Sequence, residues 1–468
     1  MMPVLLTTDV LVWLLVAAVS AYFVHVRRRA HLLVPWRRVT RSAPGMSALV
    51  VLAVFVAIGL LDSLHYRARL ERAGEKGGTV YAVEALSAFD ALAGTLRAQR
   101  ERTYSAPLAT RAYSRETLEI AEADGKTRQL REFPRLAWGG AHLKDDAEWG
   151  RDVLLRTLGG LAAAFAAWCA LVAGVIFASG SSWRAIWRAE TATPWWSVLL
   201  TSGMLLALAG PTLTLCGYYH VFGTDKVGQD VLYLALKSIR TGLVIGTVTT
   251  LVLLPFAISL GIMAGYFRGW IDDVIQYVYT TVNSIPGVLL IAAAVLLMQV
   301  YVDRHPELFP TSVQRADLRL LFLCIILGLT SWTGLARLLR GEALKLRELE
   351  YIQAAQAFGV RDARIIGRHI LPNVMHIVLI SLVMDFSGLV LAEAVLSYVG
   401  VGVDPSMISF GTMINAARLE MSREPVVWWA LAAAFVFMFV LVLAANLFAD
   451  AVRDAFDPRV RVGGLAPA

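Results

Sequence analysis

The chain has 468 residues, of which 57% are hydrophobic and 17% are charged, and its mean hydropathy is +0.61. A soluble protein of this size needs a larger polar surface, so the composition excludes an ordinary soluble globular protein. The formal net charge of +7 does not indicate nucleic-acid binding, because a wholly basic segment between two apolar blocks is typical of a cytoplasmic loop.

Nine apolar blocks come close to the length of about 20 residues that a helix needs to cross a bilayer. Lipid offers the backbone no hydrogen-bond partner and the blocks do not alternate strictly, so we predict helices rather than barrel strands. The first block is long for a secretory signal and is interpreted as a retained anchor. The predicted spans are 4–26, 46–64, 153–178, 196–217, 241–266, 286–302, 318–336, 374–397 and 427–448.

The loop between the first two spans sets the predicted orientation. Its charged residues are all basic, which places the loop in the cytoplasm and the N-terminus outside. Counting spans from there places 65–152 outside, with a helical stretch over 83–99, and places 337–373 and the C-terminus in the cytoplasm. The basic residues of the loop are Arg27, Arg28, Arg29, Arg37, Arg38 and Arg41.

The predicted cytoplasmic segment 341–372 has the pattern of a helix, a glycine break, a short helix and a proline. An apolar stripe at helical spacing precedes Gly359, which we expect to end that helix, and Pro372 is expected to stop the next one. Apolar side chains on this segment would be exposed to water unless a partner protein or lipid buries them. The segment is therefore either a docking element for a soluble partner or an amphipathic helix lying on lipid. The stripe consists of Tyr351, Ile352, Ala355 and Phe358.

Two charged residues lie within the eighth predicted span, where charge is costly. Asp385 and Glu393 are eight residues apart and so on broadly the same side of the helix. They either line a transport path or form structural hydrogen bonds with neighbouring helices.

Other polar and small residues have local interpretations. Asp230 is expected to cap the helix that follows it, although a gating contact is an alternative. Asp272 and Asp273 are expected to cap the start of the sixth span. Gly261 and Gly265 have the spacing of close helix packing.

The cytoplasmic segment resembles the EAA loop of binding-protein-dependent ABC transporter permeases. That loop reads Glu-Ala-Ala, three residues, Gly, nine residues, then Ile-x-Leu-Pro, and this chain keeps the spacing. Gln replaces Glu and His replaces the first Ile, as is common in the dipeptide, oligopeptide and nickel subfamily. The matching positions are Gln353, Ala354, Ala355, Gly359, His369, Ile370, Leu371 and Pro372.

Four further segments resemble motifs of the same subfamily. Residues 220–230 resemble its HPxGTDxxGRD stretch, 264–272 its AGYxGGxxD turn and 393–402 its EAxLSFLGLG stretch. Residues 446–459 resemble its terminal NLxGDxLRDxLDPR motif. The resemblance covers 218–459 and favours the docking interpretation of the cytoplasmic segment.

The resemblance implies an all-α membrane protein with about nine transmembrane helices, a type I ABC importer permease core and a cytoplasmic coupling helix. It implies a location in the bacterial inner membrane and a partnership with two ABC ATPase subunits, a second homologous permease and an extracytoplasmic solute-binding protein. It implies no catalytic residue, no metal and no cofactor. The coupling residues would be Gln353, Ala354, Ala355, Gly359, Ile370, Leu371 and Pro372.

The chain has parts that the family pattern lacks. Residues 1–64 hold an extra N-terminal span and a family-like first span, 65–152 form an extracytoplasmic segment, 153–217 hold an inserted pair of spans, and 218–468 form the permease domain. The stretch Gly125-Lys126-Thr127 resembles the end of a phosphate loop but lacks the first glycine and a preceding strand, so ATP hydrolysis is expected in a separate chain.

Two other classes of function are weighed against an importer. A stand-alone channel or secondary transporter gives no reason for the EAA loop. A membrane enzyme predicts clustered catalytic side chains, whereas the eight histidines are scattered and no HExxH or GxSxG motif occurs. The substrate stays open among dipeptides, oligopeptides, nickel and opines.

Overall fold

The computed structural model describes residues 2–70, 80–121, 127–305, 307 and 311–456. Within these residues nine helical segments are long and apolar enough to cross a membrane, which confirms the predicted number. Gly125, Lys126 and the terminal 457–459 part of the last motif lie outside the described residues. The nine segments are Thr7–Arg27, Ala43–Asp62, Asp146–Ser179, Trp195–Leu215, Val231–Phe267, Gly287–Arg304, Ser312–Arg347, Asp362–Val399 and Trp429–Phe456.

Some of these segments contain more than one helix, and short elements lie between them. A 3-10 turn, Asp146–Glu148, leads into α6, and a wide π turn, Ile366–Ile370, joins α15 to α16. In chain order the elements are β1 Met2–Val4, α1 Thr7–Arg27, α2 Ala30–Val39, α3 Ala43–Asp62, β2 His65–Leu70, β3 Val80–Ser87, α4 Ala88–Leu92, α5 Gly94–Ala98, β4 Glu116–Ala121, β5 Thr127–Glu132, α6 Trp149–Ser179, α7 Trp183–Trp187, α8 Trp195–Leu215, α9 Val231–Phe267, α10 Gly269–Ser284, α11 Gly287–Arg304, α12 Ser312–Ser331, α13 Thr333–Arg347, α14 Glu350–Ala357, α15 Asp362–Ile365, α16 Leu371–Val399, α17 Phe410–Glu420 and α18 Trp429–Phe456.

The chain divides into two compact units, and each draws on separate stretches of sequence. The first unit comprises Met1–Val4, Leu49–Thr241 and Ile408–Leu441. The second comprises Leu5–Ala48, Gly242–Met407 and Val442–Ala468. The segment that resembles an EAA loop therefore belongs entirely to the second unit.

The first unit contains the five strands. Strands β1, β2 and β3 form an antiparallel sheet in which Met2 pairs with Arg67 and His65 with Ser87, and β4 pairs with β5 as a hairpin. The helix predicted over 83–99 is therefore wrong for its first five residues, because β3 pairs with β2 as far as Ser87. Ser87 then starts α4 with a capping box, in which its Oγ accepts the Asp90 amide at 3.0 Å.

Helices α6 and α8, the pair predicted to be an insertion, pack closely against each other in the first unit. A Cβ on Gly160 would lie 2.7 Å from the Gly210 carbonyl, so the glycines let the two backbones approach. The Trp168 indole donates to the Leu199 carbonyl at 2.8 Å, which satisfies a polar group inside an apolar pair. The insertion is thus a helical hairpin with its own interface.

The segment 220–230 is joined to other residues of the first unit through a buried charge cluster. His220 is buried, and its Nδ1 lies 2.8 Å from Asp230 Oδ2 while its Nε2 lies 3.5 Å from Glu101 Oε1. Asp230 Oδ1 also accepts the Leu232 amide at 2.8 Å, which confirms the predicted helix cap. The Glu101 amide donates to the Gly228 carbonyl at 2.9 Å, so backbone and side-chain bonds hold the same two segments together.

In the second unit the extra N-terminal helix is attached to α12 by a polar clamp. Asp317 is buried on α12, and one of its oxygens accepts the Thr7 hydroxyl at 2.6 Å and the Thr8 amide at 3.2 Å. Its other oxygen accepts the Thr8 hydroxyl. These bonds satisfy donors at the N-terminus of α1, and Leu11 extends the contact into an apolar cluster.

Candidate coupling site

Helix α14 ends in a Schellman motif built on Gly359. The glycine has φ +71°, a left-handed conformation that other residues adopt with strain. The Val360 amide donates to the Ala355 carbonyl at 3.1 Å and the Gly359 amide to the Gln356 carbonyl at 2.9 Å. Val360 and Ala355 pack on the same apolar cluster, as this motif commonly requires. The predicted helix end is confirmed, and the chain turns sharply into α15.

The inward side of the segment is firmly packed. Ile352, Ile365 and Ile370 have no exposed surface, and they share a cluster with Leu339 and Ala343 of α13. Three buried isoleucines, each worth about 1.5–3 kcal/mol of transfer free energy, attach α14, α15 and the π turn to the helix before them. The segment therefore has a fixed position on the second unit.

The packing of α13 in turn depends on close approach to the C-terminal part of α9. A Cβ on Gly261 would lie 2.7 Å from the Ala336 carbonyl, and one on Gly265 would lie 2.5 Å from the Arg340 carbonyl. The predicted role of these two glycines in close helix packing is confirmed.

Tyr266 connects α9 to the segment through polar contacts that the sequence did not indicate. Its hydroxyl donates to Asp362 Oδ1 at 2.6 Å and accepts from Gln356 Nε2 at 3.1 Å. Its carbonyl accepts from the Arg347 guanidinium at 2.7 Å. Tyr266 lies in the AGYxGGxxD-like turn, so the motif was the available signal, but its pairing with Asp362 needs the three-dimensional fold.

The interpretation of Asp272 as a cap for the sixth span is wrong. Asp272 lies inside α10, a separate amphipathic helix that precedes the span α11. Its two oxygens accept Nε and Nη2 of Arg340 at 2.6 and 2.7 Å, a bidentate ion pair between α10 and α13. The hydrogen bonds from Arg340 hold the pKa of Asp272 below its usual value.

The outward side of α14 presents both small and large side chains. Tyr351, Ala354 and Phe358 lie at positions i, i+3 and i+7 and are exposed, with Phe358 at 87%. Ile352 points the other way, so the predicted single apolar stripe is wrong and divides into a buried side and an exposed side. Gln353 is also exposed, and its amide donates to the Glu348 carbonyl at 3.3 Å.

The expected end of the helix at Pro372 is wrong. Helical structure continues from Asp362 to Val399, and the wide turn Ile366–Ile370 precedes the proline. Proline lacks an amide hydrogen and crowds the preceding turn, and a wider turn relieves both effects. Pro372 is exposed and Leu371 is half-buried, so the orientation of α16 is set where the turn widens.

Asp385 and Glu393 have different surroundings on α16. Asp385 is half-buried and has no hydrogen-bond partner among the described side chains. Glu393 is 1% exposed, and Oε1 accepts the Ser397 hydroxyl at 2.7 Å. In the described part of the chain no group of three or more His, Cys, Asp or Glu could hold a metal ion.

A family model and several curated proteins match this sequence. The model described as "Binding-protein-dependent transport system inner membrane component" matches residues 257–462. The oligopeptide transport system permease protein OppC of Mycobacterium bovis is 32% identical over 52% of this chain and 78% of its own length. The glutathione transport system permease protein GsiD of Pectobacterium atrosepticum is 31% identical over 52% and 73%. The dipeptide transport system permease protein DppC of Alkalihalophilus pseudofirmus is 30% identical over 56% and 84%.

Among solved structures, an inward-facing form of the MetNI methionine ABC transporter aligns with 48% of this chain and 97% of its own chain. The TM-score is 0.36 and the sequence identity is 17%. The curated relatives are thus more similar in sequence to this chain than the MetNI chain is.

Proposed function

We propose that α14 transmits the movement of ATPase partners to this chain, which belongs to the family of binding-protein-dependent transport system inner membrane components. The chain is a multi-pass permease subunit of an ATP-binding-cassette importer. It is a transport subunit and not itself an enzyme. In the proposed complex it forms half of the translocation path beside a second homologous permease. Two ATPase subunits act from the cytoplasm and a solute-binding protein delivers substrate outside.

The exposed side of α14 is the observation that carries this proposal. A partner that packs on Ala354 can bring its backbone close, and Phe358 offers a large apolar surface for burial. The other side of the helix is fixed by Ile352, Ile365 and Ile370. A helix whose one side is packed on its own unit and whose other side is exposed to a partner can transmit movement of that partner to α16.

The proposed orientation places the N-terminus outside and both α14 and the C-terminus in the cytoplasm. Support comes from the wholly basic loop between α1 and α3. Strand β1 pairs with β2, so residues 2–4 lie on the same side of the membrane as the start of the segment 65–152. An odd number of spans, nine among the described residues, then puts the two termini on opposite sides.

The proposed substrates are peptides, because the curated relatives are permeases for oligopeptides, dipeptides and glutathione. Uptake of labelled di-, tri- and oligopeptides and of nickel by cells that lack the gene, with and without the gene restored, tests this assignment. Restored uptake of nickel alone would contradict the peptide assignment.

Substitution of Gly359 tests the coupling role. A side chain there meets nothing within 4 Å in this chain, so Gly359→Asp costs only the backbone strain, about 1–2 kcal/mol. We expect the variant to insert normally and the complex to hydrolyse ATP, while uptake falls to background because the new carboxylate obstructs the partner.

Gly180→Asp is the matched control. Gly180 has φ +63°, follows α6 and also has nothing within 4 Å, so the strain is the same but the site is elsewhere. Normal uptake by Gly359→Asp, or equal losses in both variants, would contradict the coupling role of α14.

Asp385 is proposed to face the transport path, since it is half-buried on α16 without a partner among the described side chains. Glu393 is proposed to contribute through its position beside Ser397. Asp385→Asn should alter the uptake rate or the range of peptides accepted, with the isosteric amide preserving the fold. Unchanged uptake and range would remove Asp385 from the path.

A further inference from the structure

Arg27 ends α1, and the segment between α1 and α3 carries five further arginines and no acidic residue. Among the described residues, none of these arginines has a carboxylate within ion-pair distance. Arginines near α14 behave differently, since Arg268 pairs with Glu348 and Arg340 pairs with Asp272. The positive charge between α1 and α3 is therefore not neutralised by the described part of the chain.

Arg37 and Arg38 lie on the folded helix α2, and Arg29 and Arg41 lie within two residues of its ends. Trp36 of α2 packs edge-on against Phe456 of α18, with ring centroids 5.5 Å apart, and Val39 is buried beside Val452. A Cβ on Gly45 would lie 2.5 Å from the Cβ of Ala451, so the start of α3 also lies close to α18. The apolar side of α2 is thereby used within the second unit.

The remaining side of α2 is basic and partly apolar. On α2, Arg37 is exposed and Val34 is 48% exposed, and Arg41 is exposed two residues after the helix. Arg28 and Arg29 extend the charge at the end of α1. Helices α1 and α3 both cross the membrane, and only 15 residues join Arg27 to Ala43. This short connection keeps the arginines at the depth of the lipid headgroups, with Val34 able to enter the acyl boundary.

We propose that the exposed side of α2, with Arg28, Arg29, Arg37 and Arg41, is a binding site for anionic phospholipid headgroups. Basic clusters directly after a membrane span attract anionic lipid, and the arginine fork matches phosphate geometry. The site goes beyond the proposed function, because it requires only that α1 and α3 span a membrane. Headgroups bound here would stabilise the contact of α2 with the last turns of α18.

Native mass spectrometry of the purified complex, titrated with phosphatidylglycerol or phosphatidylcholine, tests the site. The unmodified complex should retain phosphatidylglycerol selectively, and Arg37→Gln with Arg41→Gln should weaken that binding about 30-fold. Arg37→Lys with Arg41→Lys should keep most of it. Inorganic phosphate at matched ionic strength should not displace the lipid, because it lacks the membrane anchor.

The matched control removes two other exposed arginines, Arg184 and Arg188, beside the short helix α7. This control should leave selective lipid binding unchanged. An equal loss in the control, no preference for phosphatidylglycerol, or displacement by phosphate would overturn the proposal. So would loss of the ATPase subunits from the Arg37→Gln, Arg41→Gln complex with lipid binding intact, because the side would then belong to a protein partner.

Discussion

A buried histidine between two carboxylates, His220, links three segments of the first unit. Burial alone disfavours the charged imidazolium of His220, but hydrogen bonding to Asp230 and the nearby Glu101 outweigh it and raise the pKa to about 9. Burial likewise opposes the Glu101 carboxylate, yet His220 and three backbone amides lower its pKa to about 2. The amides belong to Ala137, Trp138 and Gly139. The charged cluster thus fastens residue 101 and the turn 137–139 to the segment 220–230.

The His220 cluster predicts a pH dependence. Because the folded pKa is above the unfolded value of about 6.5, the stabilisation is complete below about pH 6.5 and is lost as pH rises through about 9. The protection of residues 99–113 against hydrogen exchange, relative to the intrinsic base-catalysed rate, should therefore fall between pH 7 and 9.5. In His220→Gln this protection should already be low at pH 7 and should not fall further with pH. His305→Gln, which removes only a local contact with the Tyr301 carbonyl, should behave as the unmodified chain.

The ion pair of Asp272 and Arg340 is the strongest polar link between α10 and α13 by its geometry. Asp272→Asn or Arg340→Gln should each lower stability by roughly 1–3 kcal/mol, since the buried Asp272 or the half-buried Arg340 is left without its charged partner. The double variant should cost less than the sum of the two, as measured by thermal unfolding in detergent. Additive losses would show that the two groups do not act together.

At the scale of elements, the hairpin of α6 and α8 offers a comparison between neighbouring glycines. Gly160 is buried against Gly210, whereas Gly159 is exposed and has nothing within 4 Å. Gly160→Val should separate the helices and cost about 1–3 kcal/mol, while Gly159→Val should be nearly neutral. Disulfide formation between cysteines placed on α6 and α8 would report the separation. Equal cross-linking in both variants would contradict the packing.

The sequence predicts the positions of the spans and the end of α14, but not which side of α14 is buried. Apolar length located every span, and the glycine rule located the end of α14 at Gly359. Helical spacing alone could not tell which side of α14 faces inward, because both Ile352 and Phe358 are apolar and only the fold buries one of them. The second half of strand β3 was mistaken for helix because its alternation of side chains is weak, and its strand conformation depends on pairing with the neighbouring strand β2.

Over the whole molecule, the spans predicted to be additions to the family pattern make their own packing contacts. Helix α1 is clamped to α12 through Asp317, and α6 pairs with α8. The sequence identified both additions as spans, but the clamp pairs residues more than 300 positions apart and no local pattern indicates it. Family motifs supplied the fold class and function, which physical pattern alone left open.

Residues 7–27 are therefore expected to be needed for stability of the second unit. Asp317→Asn should loosen α1, because a carboxylate that accepts from both threonines is replaced by an amide with one acceptor oxygen. Protease sensitivity at the N-terminus of α1 should rise, with Asp273→Asn, an exposed side chain on α10, as the control. Unchanged sensitivity would contradict the clamp.

We propose that the exposed side of α14, which includes Phe358, contacts a nucleotide-hydrolysing partner. A photo-reactive amino acid at Phe358, in the complete complex, tests this contact directly, with the buried Ile352 position as the reference. We expect a cross-link from position 358 to an ATPase subunit and little or none from position 352. A cross-link from position 358 to an extracytoplasmic protein, or to lipid alone, would contradict it.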